Sequence, residues 1–169
     1  MEEWIIVNPE IVDSETKEVR ISALPNTGRN TRSTILKFVC QTNPNIVKEL
    51  PVTQTGLDEY VSFCGIKEII IDHSETEIMV WGITNSSRLT FCIGEGNLNI
   101  ELPDEYNAGG EMTKNGVPIK YDPGQHDEFV FRFSLYIPEN SLNEDRKNEI
   151  IVKTANAKQA CLLITQIHR

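Results

Sequence analysis

Apolar and polar positions alternate along most of this chain. In "EVRISAL", Val19, Ile21 and Ala23 oppose charged residues and Ser. "STILKFVCQ" sets Leu36, Phe38 and Cys40 on one face, and "KELPVTQ" sets Leu50 and Val52 on one face. "KEIIID", "EIMVWGI", "RLTFCIG", "FVFRFSLYI", "NEIIVKT" and "ACLLITQ" follow, each a short β-branched or aromatic run bounded by Asn, Gly, Pro, Asp or Ser. Such runs predict strands. No segment carries a sustained apolar stripe at the helical period. The expected fold class is all-β, built as a β-sandwich.

The alternation also repeats at long range. Arg32 leads into Leu36 and Phe38, and Arg146 leads into Ile150 and Val152, so each strand opens Arg-x-x-x-apolar-x-apolar. Each copy then closes on an apolar alternation ending in Thr-Gln: Leu50, Val52, Thr53, Gln54 in one, and Leu162, Ile164, Thr165, Gln166 in the other. The tripeptide Ser-Glu-Thr occurs upstream in both, from Ser14 and from Ser74, where a hairpin turn is expected. Three features in the same order predict two tandem sandwich units. The predicted boundaries are 1–56 for a short first domain, 57–63 for a linker and 64–169 for a second domain. Arg32 and Arg146 are expected to bind backbone carbonyls or a neighbouring carboxylate, so that the repeat serves folding. Residues 94–127 of the second domain, rich in Gly, Asn, Pro and Asp, read as a long loop insertion in which "VPIKY" could add a strand. Loops of that length in compact domains are commonly functional or disordered.

The first copy resembles the BACON domain, an immunoglobulin-like β-sandwich family. The resemblance rests on Trp4 near the start, on Asn26-Thr27-Gly28-Arg29-Asn30-Thr31-Arg32 before an apolar strand, and on Val52-Thr53-Gln54-Thr55-Gly56 at its end. It spans residues 4–56. The second copy keeps Arg146 and Ile164-Thr165-Gln166 but lacks the closing Gly, and its Trp81 stands in a later strand, so it is a divergent relative. The resemblance implies an immunoglobulin-like fold and an association with gut bacteria of the Bacteroides group or with the virions of tailed phages that infect them. It also implies carbohydrate or mucin binding.

Composition narrows the function classes. The chain has 169 residues and a net charge of −9, with the acidity spread over both halves. No Lys/Arg cluster offers a phosphate backbone a basic face, which excludes nucleic acid as the expected partner. No apolar run approaches the roughly 18–20 residues of a spanning helix, so no membrane insertion is expected. The N-terminus "MEEWIIVNPE" lacks the basic and long apolar regions of a secretory signal. The expected location is therefore a virion made in the host cytoplasm, with the bacterial cell surface as the alternative if a leader has been trimmed away. Cys40, Cys64, Cys92 and Cys161 form no C-x-x-C pair. Cys40, Cys92 and Cys161 sit within strand-like apolar runs and read as small buried hydrophobes, with a Cys92–Cys161 bridge as the sharper alternative, and the reduced state is favoured in the absence of a secretion signal.

No cofactor, metal or catalytic residue is expected. His73, His126 and His168 stand in no triad-like order, and a carboxylate pair such as Asp104 and Asp127 is cheap in so acidic a chain. Tyr106, Asn107, Tyr121 and Asp122 in the insertion supply aromatic faces and hydrogen-bonding groups, and they are the expected ligand or partner surface. Trp4 and Trp81 fall within strands and read as core. The expected function is that of a non-catalytic auxiliary protein, a capsid decoration docking on the capsid or tail of a tailed-phage virion. The alternative is a carbohydrate-binding module acting as an adhesin on surface glycans.

Overall fold

Strands dominate the computed structural model, which describes residues 4–8, 18–103, 105–106, 112–113 and 122–169. The chain divides into two units, Met1–Leu57 and Asp58–Arg169. In the first, β1 (Ile5–Asn8) pairs antiparallel with β2 (Arg20–Ala23), and β3 (Arg32–Val39) with β4 (Val47–Gln54). Trp4, Ile5 and Leu36 are buried between them, with Val7, Phe38 and Val52 packed alongside. Pro51 lies within β4 opposite Ile35. It has no N–H to donate, which suits a strand paired on one side only.

The second unit holds two larger sheets. One has the order β10 (Met112–Thr113), β9 (Glu105–Tyr106), β8 (Leu89–Gly96), β12 (Arg146–Thr154), β13 (Gln159–Gln166), β6 (Glu68–Ile71). The other has the order β11 (Phe129–Ile137), β7 (Thr76–Thr84), β5 (Val61–Ser62). Period-2 alternation buries Phe131, Phe133, Leu135 and Ile137 of β11 with Ile150 and Val152 of β12 and Leu162 and Ile164 of β13. The aromatic rings of Phe91, Phe131 and Phe133 meet edge to face, Phe91 and Phe133 at 5.1 Å between centroids. Both units are all-β, as the alternation predicts.

The repeated Arg and Gln are partners in the structure. Arg32 opens β3 and stands opposite Gln54, the last residue of β4; Arg146 opens β12 opposite Gln166, the last of β13. In the first unit Arg32 donates to Gln54 Oε1 from Nε at 2.9 Å and from Nη2 at 2.7 Å, and to the Leu24 carbonyl at 2.5 Å. Gln54 Nε2 donates to that same carbonyl at 3.1 Å, closing a triangle. In the second unit Arg146 Nε meets Gln166 Oε1 at 3.1 Å, Nη2 donates to the same oxygen and, at 2.5 Å, to the Pro138 carbonyl, and Gln166 Nε2 donates to Pro138 at 3.1 Å. Leu24 and Pro138 each stand eight residues before their arginine. Asn26 and Asn140, buried two residues further on, donate to the Asn30 and Glu144 carbonyls, both at 2.9 Å. The expected carbonyl partners of the arginines are present, and a glutamine stands where a carboxylate was the alternative. The same construction occurs twice. In the first unit Arg32 also lies over the Trp4 ring, 4.5 Å from its centroid. Gly56, absent from the second copy, has a separate cause: a Cβ there would sit 2.1 Å from the Arg29 carbonyl oxygen.

Several expectations are corrected by long-range packing. Residues 57–63 do not form a free linker: Val61 and Phe63 are buried in the core of the second unit, and buried Glu59 accepts from Ser86 Oγ at 2.8 Å and from Asn156 N at 2.7 Å. The Ser74 turn does not close a hairpin, because β6 pairs parallel with β13 in one sheet while β7 lies in the other; residues 14–16 lie outside the described residues. The 94–127 segment is not a loop throughout. It starts inside β8, buries Leu98 and Ile100, and ends on a 3-10 turn, Pro123–Gln125, where a Cβ on Gly124 would meet the Asn85 carbonyl oxygen at 1.9 Å. "VPIKY" lies outside the described residues. A Cys92–Cys161 bridge is ruled out by register, since both pair with Ile151 from opposite sides of β12. Two strand spacings separate them by about 10 Å, beyond the roughly 7 Å limit for a disulfide. Cys161 is exposed rather than buried, and Trp81 is 44% exposed, on the outer face of β7.

Two outcomes follow. Replacing Arg146 by Met removes the charge-assisted bonds to the Pro138 carbonyl and to the amide oxygen of the fully buried Gln166. Urea unfolding of the second unit is expected to show a loss of about 3 kcal/mol, against less than about 0.5 for Lys147→Met on the exposed neighbour; equal effects would refute the assigned role. The second outcome concerns Tyr60, whose hydroxyl donates to the Glu128 carboxylate. Burial first, then that carboxylate, push the hydroxyl well above the ordinary tyrosine range. A raised acid pKa contributes stability that is present below the unfolded value of about 10 and fades as pH climbs toward the folded one. Tyr60→Phe is expected to lose stability near pH 8 and to flatten the decline above about pH 10, read from denaturation midpoints at both pH values.

Candidate functional site

The described residues form an open cleft of about 340 Å³ on the second unit, lined by Asn99, Glu101, Tyr136 and Pro138. Its residues arrive from two elements. The stretch after β8 alternates strictly, burying Leu98 and Ile100 and leaving Asn99 and Glu101 exposed between them. Backbone bonds hold that stretch to β12: Asn97 N and Leu98 N both donate to the Lys147 carbonyl, at 2.9 and 3.2 Å, and Asn148 Nδ2 donates to the Leu98 carbonyl at 2.7 Å. Tyr136 comes from β11, where Leu135 and Ile137 are fully buried and the ring between them is 58% exposed.

Pro138 is the residue whose carbonyl receives both Arg146 and Gln166. One wall of the cleft is thereby fixed by the second clasp. The Tyr136 hydroxyl donates to the Glu75 carboxylate, and that bond raises its pKa above the ordinary range. The hydroxyl therefore stays protonated at physiological pH, and the bond ties the ring to the turn before β7. The cleft thus offers one aromatic face, one amide and one carboxylate within a small volume. That set suits a polyhydroxylated ligand, whose C–H faces stack on a ring and whose hydroxyls exchange hydrogen bonds with amide and carboxylate.

The sequence-predicted surface is distributed differently. Tyr106 lies on β9, paired with Met112; Asn107 and Tyr121 lie outside the described residues. Asp122 caps the 3-10 turn, with Oδ1 accepting from Gly124 N at 3.1 Å, so it serves the local backbone. Asp122 is not among the residues that line the cleft. The residues that do were present in the pattern: "LNIEL" reads as a buried/exposed alternation, and period 2 through "FVFRFSLYI" sets Tyr136 on the outer face. The Gly-rich flanks of the first make it read as loop.

His73 bonds Asp72 and His168 bonds Asp145, each pair at the surface. The described residues contain no cluster of three His, Cys, Asp or Glu side chains placed to hold a metal ion. Asp127 Oδ1 accepts from the Glu128 amide at 2.8 Å, while Asp104 lies outside the described residues. No helix among the described residues is long and apolar enough to cross a membrane.

Comparison with known proteins locates the first unit. Residues 2–55 match the model of the BACON family, described as "Putative binding domain, N-terminal". No curated protein matches the chain. Among solved structures, the chain resembles a Bacteroides ovatus GH5 xyloglucanase in complex with a XXXG heptasaccharide, with 8% identity and a TM-score of 0.40, over 66% of this chain and 19% of that one. It also resembles mouse clustered PcdhgC3 EC1-3, with 13% identity and a TM-score of 0.43, over 97% of this chain and 53% of that one. The chain therefore spans about a fifth and about half the length of these two structures. The similarity to the BACON family thus lies in residues 2–55, within the first unit.

Proposed function

We infer that this protein is a non-catalytic binding module and that its second unit takes a glycan in the Asn99–Glu101–Tyr136 cleft. The observation that carries this reading is the exposed Tyr136 ring, held by Glu75 and set beside an amide and a carboxylate in about 340 Å³. That volume lies at the lower end of the range of small-ligand sites, about 300–1,000 Å³, and suits one or two sugar rings. The BACON domain supports binding as the general role. A glycan array with the full chain is expected to give a signal that falls at least about tenfold in Tyr136→Ala and in Asn99→Ala. Tyr136→Phe, which keeps the ring, should retain most of it. Signal unchanged in all three variants would overturn the site. Signal lost only in Tyr106→Ala or Tyr121→Ala would move it into the insertion.

A second reading, docking on a virion, is favoured by a different surface. The outer face of the β3–β4 hairpin exposes Ile35, Val39 and Val47 around a Lys37–Glu49 ion pair at 3.0 Å. Contiguous exposed apolar groups of this kind mark protein contacts. On this reading the chain is an auxiliary protein of a tailed-phage capsid or tail, assembled in the host cytoplasm. It should then co-sediment with the capsid lattice at fixed stoichiometry in sugar-free buffer, and Ile35→Lys with Val39→Lys should abolish this. Sedimentation of the chain alone, away from the lattice, would reject it.

A further inference from the structure

The first strand of the second unit changes sheets, and this leaves an edge open. β5 pairs with β7 only at Thr84 and Ile83. Cys64 and Gly65 then both take positive φ, 56° and 83°, and Ile66 N closes the turn on the Phe63 carbonyl at 3.1 Å. That left-handed pair carries the chain across to the other sheet, where β6 runs parallel to β13. Among the described residues no strand pairs with the same edge of β7 over residues 76–82. About half of the backbone N–H and C=O groups on such an edge point outward without a ladder partner.

Beside this edge lies an apolar recess of about 30 Å³. Phe63 and Leu162 are its buried walls, and Ile66, Met79 and Trp81 its exposed rim. The chain that supplies this rim and edge is acidic. Between residues 66 and 82 stand Glu68, Asp72, Glu75 and Glu77 against a single base, Lys67.

We propose that residues 76–82 of β7 accept an extended, basic peptide segment of a partner protein as an added strand, with one small apolar side chain seated in the recess. Three features fit this occupant together. The open edge supplies ladder hydrogen bonds over about 20 Å, the length of six or seven extended residues. The recess accepts the tip of a residue such as Val or Ala. On the outer face the alternate positions Glu77, Met79 and Trp81 offer a carboxylate and an exposed indole to Lys or Arg. A second copy of this chain fits poorly, because it brings a net charge of −9 and the same acidic segment. This surface adjoins the Tyr136 cleft, since Tyr136 pairs with Glu77 across β11 and β7, but the probe carries no sugar and is read at the backbone of β7, so its test is independent of glycan binding.

The test uses the full chain and a labelled seven-residue probe, acetyl-Lys-Val-Lys-Val-Lys-Val-Lys-amide, at low salt. One-to-one binding is expected, with amide hydrogen exchange slowed within residues 76–82 and unchanged on the β3–β4 hairpin. The same probe N-methylated on its edge-facing amides, which keeps charge and side chains but removes the ladder donors, should bind at least about tenfold more weakly. Ile66→Lys, at an exposed rim position, should weaken the unmethylated probe to a similar degree. Should that variant fail to fold, the methylated probe carries the test on the unaltered protein. Equal binding of the two probes, absence of binding by either, or protection mapping away from β7 overturns the proposal. So does a homodimer formed through this edge.

Discussion

An always-charged guanidinium that has to be satisfied away from bulk water organises both units. Arginine cannot shed its proton in a protein, so each half-buried fork needs acceptors in fixed places. Arg32 and Arg146 find them in a glutamine amide oxygen at the far end of the paired strand and in a carbonyl eight residues upstream. The two acceptors lie on different segments, so the bonds fix strand register and loop path at once. A one-residue slip of β12 against β13 would remove Gln166 from Arg146 and turn Ile150 and Val152 out of the core. The second clasp also reaches further than the first. Gln166 Nε2 donates to the His73 and Ser74 carbonyls at 3.1 and 3.3 Å, and Asn140 N donates to the His73 carbonyl at 2.7 Å, so the crossing between sheets hangs on the same groups.

The candidate surfaces depend on this frame. Pro138, an acceptor of the clasp, is also a wall of the cleft, and Tyr136 stands two residues before it. The turn tied down by Gln166 leads to Glu75, which holds the Tyr136 hydroxyl. The fold therefore fixes the ring before any ligand arrives, which lowers the ordering cost of binding. The open edge of β7 has a related origin. The chain that could have covered it is diverted at Cys64 and Gly65 to serve the other sheet.

The two units differ in how much they bury. The first has two two-stranded sheets and a small core around Trp4, with the arginine laid over the indole as part of its packing. The second has nine strands among the described residues and a core that includes the 98–100 segment. The shared clasp works with either amount of burial. Gly56 is required only where the Arg29 carbonyl approaches, and the second copy has His168 two residues after its Gln, held instead by Asp145.

Alternation alone determined the strands, the all-β class and the duplicated Arg-to-Gln frame, because period 2 is a local property and repetition is visible by inspection. The indole of Trp81, by size and apolarity, reads as core, yet the pairing of β7 leaves it on the outer face, as β11 leaves Tyr136. Tertiary structure decided what no local pattern contains. The strand partners put two cysteines about 10 Å apart, and a left-handed turn sent β6 to the other sheet. Long-range hydrogen bonds turned an expected linker and much of an expected loop into packed structure. Pairing and burial of this kind are settled between residues far apart in the chain, where the free energy of the whole sandwich, and not the preference of any segment, makes the choice.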